Sequence, residues 1–349
     1  MYDAVFYVQY PYYYPHFLPI SRELEKQGKS VKYILSDKQN TKLITKIAED
    51  ENLDFIVGED EILKLKSKSF FFANAYSNIE QIDGIKVFLE HGIGTKTFPV
   101  NSAVTFFDYL LVEGDYRYNL FRKKFPQFKD KIKKVGFTKL DPIINAPQNL
   151  KDEYFNKYNL ATDKPTILYA PTFFPASIEK MSKKFPEDFK EYNIIVKAHY
   201  ISLSRSRYKK QQKMFKRWAT YDNCHICDEY DYDLTPFLGM ADIMISDESS
   251  AIFEFTALDK PVILNKFLKL RLSYYLNPKK LLKRFDKGMD RFRQIGDNAK
   301  NYKEMVKMVH SNMANKNKYS DVRKQFMYEL CGKVDGKVSQ RVVKLLKLS

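Results

Sequence analysis

Short runs of β-branched and aromatic residues, each followed by an amphipathic stretch and then by another such run, set what this chain can fold into. The first run is Ala4-Val5-Phe6-Tyr7-Val8; a helical pattern over residues 14–27 closes at Gly28, and Val31-Lys32-Tyr33-Ile34-Leu35 follows. A helix at 41–51, a strand at 54–57 and apolar runs at 70–73, 86–89 and 109–112 continue the pattern. Strand and helix alternating at this spacing predict a parallel sheet with helical crossovers.

Asn145-Ala146-Pro147-Gln148-Asn149 is a polar, proline-containing break, and a second alternation starts beyond it. Strands are expected at 166–169, 194–197, 243–246 and 262–264, with helices at 203–220, 234–240 and 249–258. The tail, 301–349, reads as helical and basic. A chain of 349 residues that is 44% hydrophobic has apolar material for two cores. The expectation is two α/β domains, 1–148 and 149–300, facing a central cleft, with the tail packing across both.

Composition narrows the class. No uncharged apolar run approaches the roughly 18 to 20 residues of a membrane helix, and the N-terminus lacks a basic leader with a small-residue cleavage site. Three cysteines, Cys224, Cys227 and Cys331, are too few for a disulfide framework and fit a reducing compartment, so the chain is expected in the cytoplasm. The 59 basic and 43 acidic residues leave +16, an attractive field for polyanions. Dense basic stretches lie at 205–210 and 279–284. No helix-turn-helix, zinc-finger or RNP pattern accompanies the charge, so nucleic acid is not an expected partner.

In parallel sheets ligands sit beyond the carboxyl ends of strands, which directs attention to four polar clusters. They are Glu90-His91-Gly92-Ile93-Gly94-Thr95-Lys96, Tyr169-Ala170-Pro171-Thr172, Lys197-Ala198-His199 and Ser246-Asp247-Glu248-Ser249-Ser250. An imidazole at 91, followed by glycines that allow close backbone approach, can accept a hydroxyl proton at neutral pH; a histidine closing a strand end is the plainer alternative. Lys197 and His199, two residues apart, share one face and can meet one anionic group, or be ordinary surface residues. Ser249-Ser250 open an apolar helix whose free N–H groups suit phosphate, although Ser is also a favoured helix cap. Asp231-Tyr232-Asp233 is read as a helix start rather than a metal motif. Cys224-His225-Ile226-Cys227 is read as structural because no second ligand pair follows at a suitable spacing. No metal and no cofactor are expected.

Taken in order, these clusters resemble the CDP-glycerol glycerophosphotransferase family. Glu90-His91-Gly92 with Lys96 is similar to that family's first His-Gly motif. Val135-Gly136-Phe137-Thr138-Lys139-Leu140-Asp141 is similar to its Gly-x-Pro-Arg-x-Asp turn, Tyr169-Ala170-Pro171-Thr172 to its Tyr-Ala-Pro-Thr strand, and Lys197-Ala198-His199 to its Lys-x-His-Pro. Residues 241–261 resemble its long Asp-x-x-Ile-Thr-Asp-x-Ser-Ser…Phe-Asp-Phe…Lys-Pro signature. The chain departs from the pattern at Thr138-Lys139, Tyr200, Glu248 and Glu254, which leaves the alditol or sugar open. The aromatic segment Tyr10-Pro11-Tyr12-Tyr13-Tyr14-Pro15-His16 has no counterpart in it.

The resemblance implies a GT-B-like plan of two Rossmann-like domains, the first on the acceptor side and the second holding the nucleotide donor. It implies transfer of an alditol phosphate from a CDP-activated donor such as CDP-glycerol to a hydroxyl of a polyanionic or lipid-linked glycan, with release of CMP. His91 would be the general base. His199, Lys197, Ser249 and Ser250 would hold the diphosphate, with Thr172, Asp247, Glu254, Thr138 and Lys139 as further donor contacts. The positive charge would dock the chain as a peripheral protein on the anionic inner face of the cell membrane. A GT-B glycosyltransferase or UDP-sugar 2-epimerase is the alternative enzyme; a non-catalytic polyanion-binding protein is the alternative of another class.

Overall fold

A computed structural model describes residues 1–93, 105–247, 249–271, 274 and 287–348. The chain divides into two compact units, Met1–Asn145 with Tyr328–Ser349, and Ala146–Met327.

The first unit is built on a seven-stranded sheet of β1 (Tyr2–Val8), β2 (Val31–Leu35), β3 (Phe55–Val57), β4 (Ser67–Phe72), β5 (Ile85–Leu89), β6 (Tyr109–Val112) and β7 (Ile132–Lys134). The strand order is β3-β2-β1-β4-β5-β6-β7 and every pairing is parallel. Helices cover both faces of such a sheet, which is why β2, Val-Lys-Tyr-Ile-Leu, is buried along its whole length instead of alternating. The helix Tyr14–Lys26 starts on Pro15 and ends at Gly28, whose φ of +70° a side chain would resist. Strand β7, Ile-Lys-Lys, is too short and too charged to be legible in the sequence. It forms because β6 offers it an edge, and its lysines discourage further pairing.

The second unit repeats the plan with β8 (Thr166–Ala170), β9 (Asn193–Val196), β10 (Cys224–Ile226), β11 (Ile243–Ser246), β12 (Val262–Asn265) and β13 (Asp297–Ala299), in the order β10-β9-β8-β11-β12-β13 and again parallel. Its core gathers Tyr169, Phe185, Phe189 and Trp218 around the sheet. The helix expected over 203–220 is broken into Tyr200–Ser204 and Lys209–Trp218 by an extended Arg205. Gln212 bridges the break: its Nε2 lies within hydrogen-bond reach of the carbonyls of Ser202, Leu203 and Arg205, the last of which also accepts from the Tyr208 N–H. The tail is helical. Tyr302–Ala314 packs Met305 and Val309 into the second core, whereas Val338–Leu345 belongs to the first unit.

In both sheets the order reverses direction at the first strand, between β1 and β4 and between β8 and β11. These are the positions where a doubly wound sheet opens a crevice at its carboxyl edge. The two units and their parallel sheets are the Rossmann-like pair expected from the sequence.

Candidate functional site

In the first unit, β1, β4 and β5 are neighbours, so the residues just past their carboxyl ends meet. His91 Nδ1 lies 2.8 Å from the carbonyl oxygen of Ala73, beyond β4. A carbonyl only accepts, so Nδ1 carries the proton and Nε2 presents a lone pair. The His91 side chain keeps 33% of its surface. Among the described residues a Cβ at Gly92 would touch nothing within 4 Å, which leaves room beside the ring.

The loop carrying His91 is held from below by a buried ion cluster. Arg117, on the helix Asp115–Lys124, lies 3.1 Å from Glu90 Oε2 and 2.8 Å from Glu113 Oε2, and donates from Nη2 to the Gly92 carbonyl at 2.7 Å. Burial pushes the Glu113 carboxyl up to about 7; Arg117 opposes that shift and the neighbouring Glu90 adds to it. Tyr12 and Tyr13, from the turn after β1, bring their rings to 5.5 and 5.3 Å from that of His91. His16, fully buried one turn further on, is kept neutral by desolvation, with the charge of Lys139 and then His91 adding.

In the second unit, β9, β8 and β11 are adjacent and set Lys197-Ala198-His199, Thr172 and Ser246-Asp247 side by side. His199 caps the helix Tyr200–Ser204: its Nδ1 accepts from the Ile201 N–H at 3.2 Å. The neutral ring therefore carries its proton on Nε2, the opposite tautomer to His91. Partial burial, against Phe173 and Tyr200, and then the Lys197 charge draw the His199 pKa below its ordinary value, although the residue stays exposed. At neutral pH it is an uncharged hydrogen-bond donor beside an ammonium group.

Asp247 is wholly buried. It accepts from the backbone N–H groups of Thr172 at 3.1 Å and Ser177 at 3.2 Å, tying the loop after β8 to the end of β11. Burial raises its pKa to about 7 against those hydrogen bonds. Thr172 Oγ1 donates to the Pro175 carbonyl at 2.6 Å. Ser249 Oγ accepts from the Ala251 N–H, Ser250 is exposed, and Glu254 is buried on the short helix Ala251–Thr256. Thr138 and Lys139 lie in the first unit, both buried, Thr138 donating to the His16 carbonyl. Asp141, three residues on, accepts from the N–H groups of Val338 and Ser339 and from the Ser339 hydroxyl, and so starts the helix Val338–Leu345. Gly94, Thr95, Lys96, Glu248 and the basic stretch 279–284 lie outside the described residues.

Two signals dismissed separately in the sequence converge in the structure. Asp233 does start the helix Thr235–Met240, accepting from the Thr235 N–H. Asp231 instead turns back to His225 and Cys227, and the donor atoms of these three lie within 4.8 Å of one another. Imidazole, thiol and carboxylate are a set that could hold a metal ion, but Asp231 already accepts from the Tyr158 hydroxyl at 2.8 Å and burial pushes the Cys227 thiol well above its ordinary pKa, which works against the thiolate a metal binds. The third donor came from the acidic triplet and not from a second cysteine pair. Glu113 and Arg117 were missed as well, although Glu113 directly follows a recognised strand.

Two doubly wound parallel-sheet units with histidines past the carboxyl ends of their strands define a GT-B-type α/β protein. The wall teichoic acid polymerase TagF superposes with a TM-score of 0.71 at 18% identity, covering 99% of this chain and 88% of that one. A UDP-GlcNAc 2-epimerase from Neisseria meningitidis superposes at 0.61 and 11%, covering 99% and 100%. The chain belongs to the CDP-glycerol:poly(glycerophosphate) glycerophosphotransferase family, whose pattern matches residues 90–348. It is 32% identical to a teichoic acid glycerol-phosphate primase of Bacillus spizizenii over 45% of this chain and 39% of that protein. It is 25% identical to a teichoic acid glycerol-phosphate transferase of Staphylococcus aureus over 67% of this chain and 59% of that protein. The chain thus spans less than two thirds of the length of these two curated relatives.

Proposed function

We propose that this chain transfers glycerol phosphate, or a related alditol phosphate, from a CDP-activated donor to a hydroxyl of a teichoic-acid-type polymer or its lipid-linked precursor. The acceptor oxygen attacks the distal phosphorus and gives its proton to Nε2 of His91. The new P–O bond forms as the bond to the bridging oxygen breaks, and CMP leaves with that electron pair. His199 Nε2–H and Lys197 stabilise the charge gathering on the leaving phosphate, with Ser249 and Ser250 as further donors; Thr172 and Asp247 shape the loop around it. The observation that carries this reading is that Nδ1 faces a carbonyl oxygen in His91 and an N–H in His199, contacts that in the neutral rings assign a bare Nε2 to His91 and a protonated Nε2 to His199.

A groove of about 620 Å³ in the first unit, lined by Arg122, Lys129, Lys133, Lys134, Arg341 and Lys344 with Asp130, supports docking on anionic lipid or a polyanionic acceptor. No helix among the described residues is long and apolar enough to cross a membrane.

The test is nucleotide release from CDP-glycerol, CDP-ribitol and UDP-sugars, with a lipid-linked acceptor mimic present. CMP release that falls at least 100-fold in His91→Ala is expected. UDP or UMP release would point to the epimerase-like or glycosyltransferase alternative that the fold also accommodates. Polyanion binding retained in a His91→Ala/His199→Ala double variant, with no nucleotide released from any donor by wild type, would point to a binding protein.

A further inference from the structure

The two places where the sequence leaves its family's pattern, the segment 10–16 and the pair Thr138-Lys139, meet at one side chain. His16, the third residue of the helix Tyr14–Lys26, is 1% exposed. Its carbonyl accepts from Thr138 Oγ1 at 3.0 Å, and its ring stands edge-on to Phe137 at 5.1 Å. The ring also meets the backbone of His91 in a hydrogen bond, and Lys139, itself buried, is the charge that acts on it most strongly. Nδ1 of His16 has no hydrogen-bond partner among the described residues. Burial first, then the Lys139 charge, oppose a proton on the ring, and the partial positive charge of a helix N-terminus works the same way. An imidazole with an unpaired buried nitrogen is an unfavourable choice for packing alone, since leucine would fill the space without holding a polar atom out of water. The turn that His16 touches is fixed from its far side. Gly136 takes a φ of +103°, where a Cβ would come within 2.9 Å of the Val338 side chain, and Asp141 is bonded to Val338 and Ser339. The His91 loop has the Ala73 carbonyl against its ring and Arg117 against the Gly92 carbonyl. His16 supplies a third attachment, from the anchored turn.

We propose that His16 is a positioning residue of the transfer reaction, which ties the His91 backbone to the turn at 137–139 and so aims Nε2 of His91 at the acceptor hydroxyl. The proposal rests on the phosphotransfer reading above and adds to it a residue that exchanges no proton with the substrate. A general base works only when its lone pair is held along the line of the proton it takes, and small displacements of such a group are felt in the rate of the chemical step rather than in binding. His16 acts on the backbone of the base and not on its ring, so its effect belongs to aim.

The experiment measures CMP release from CDP-glycerol with a lipid-linked acceptor mimic for wild type, His16→Leu, which keeps the bulk, and His16→Gln, which keeps a neutral hydrogen-bonding group. Circular dichroism fixes the folded fraction of each. Per folded molecule, His16→Leu is expected to lose about tenfold to a hundredfold in kcat with both KM values within about twofold of wild type, and His16→Gln to recover most of that loss. An unaltered kcat in His16→Leu, an equal loss in both variants, or a loss seen only in KM overturns the proposal and leaves the transferase reading intact. Should His16→Leu not fold, Thr138→Val, which removes only the hydroxyl on the His16 carbonyl, takes its place: a kcat at least about threefold lower is expected, and an unaltered kcat overturns the tie. If wild type releases CMP from no donor, the transferase reading fails by itself, and nitrogen NMR of labelled histidines judges His16 alone. Wild type should then show His91 as the single Nδ1–H tautomer. A mixture of tautomers at His91 in whichever of the two variants folds upholds the tie, and the same single tautomer in both proteins overturns it.

Discussion

The two histidines differ in the atom that faces them. His91 meets a carbonyl through Nδ1 and His199 meets an N–H through Nδ1, so the same side chain is a proton acceptor in one unit and a donor in the other. Both were legible as polar residues past predicted strands, but their tautomers were not, because Ala73 is 18 positions upstream of His91 and only the β4–β5 pairing brings it close. The same holds for Arg117. Its i,i+4 relation to Glu113 can be read from spacing, whereas Glu90 joins through the pairing of β5 with β6. Replacing Arg117 by Met leaves two buried carboxylates facing one another, a change expected to cost about 3–5 kcal/mol. Chemical denaturation should show that loss, and adding Glu113→Gln should recover part of it. If Arg117→Met melts like wild type, the cluster does not support the His91 loop.

At the scale of elements, strand positions were the most legible feature, since buried parallel strands write themselves as continuous apolar runs; β2, β6 and β11 begin and end where their sequences say. Of the three-residue edge strands, apolar β3 falls within the run expected at 54–57, whereas β7, β10 and β13, whose sequences Ile-Lys-Lys, Cys-His-Ile and Asp-Asn-Ala form no apolar run, were not legible. The joint between Asp141 and the helix Val338–Leu345 was equally hidden, its partners being 197 and 198 residues apart. Asp141 satisfies two N–H groups at the start of that helix and one hydroxyl, all buried. Asp141→Ala should therefore destabilise the first unit by about 2–4 kcal/mol, above an ordinary cap loss because the orphaned donors are out of water. Urea unfolding measures it. Asp141→Asn, which keeps an acceptor oxygen, should lose less than half as much, and equal losses would mean that charge rather than hydrogen bonding matters.

The whole molecule consists of two units with separate cores, and each hides a carboxyl whose pKa burial lifts to about 7, Glu113 in the first and Asp247 in the second. A raised folded-state pKa means that the folded protein binds the proton more tightly than the unfolded chain does. The stability it contributes is complete below the unfolded value near 4 and is lost as pH rises toward 7. Buried His16 and the lowered His199 act in the opposite direction as pH falls through 6.5, so the wild-type profile alone cannot isolate the carboxyls. The difference between wild type and an amide variant can, because both histidines are common to the two proteins. Separate cores predict two thermal transitions by calorimetry. Glu113→Gln should gain on wild type between pH 5 and pH 8 in one transition only, and Asp247→Asn should gain in the other only, each difference levelling off above pH 7. Movement of both transitions by either variant would mean that the two units unfold as one. A difference independent of pH at Asp247→Asn would mean that its carboxyl is ionised throughout and that the Thr172 and Ser177 N–H groups, not protonation, offset its burial.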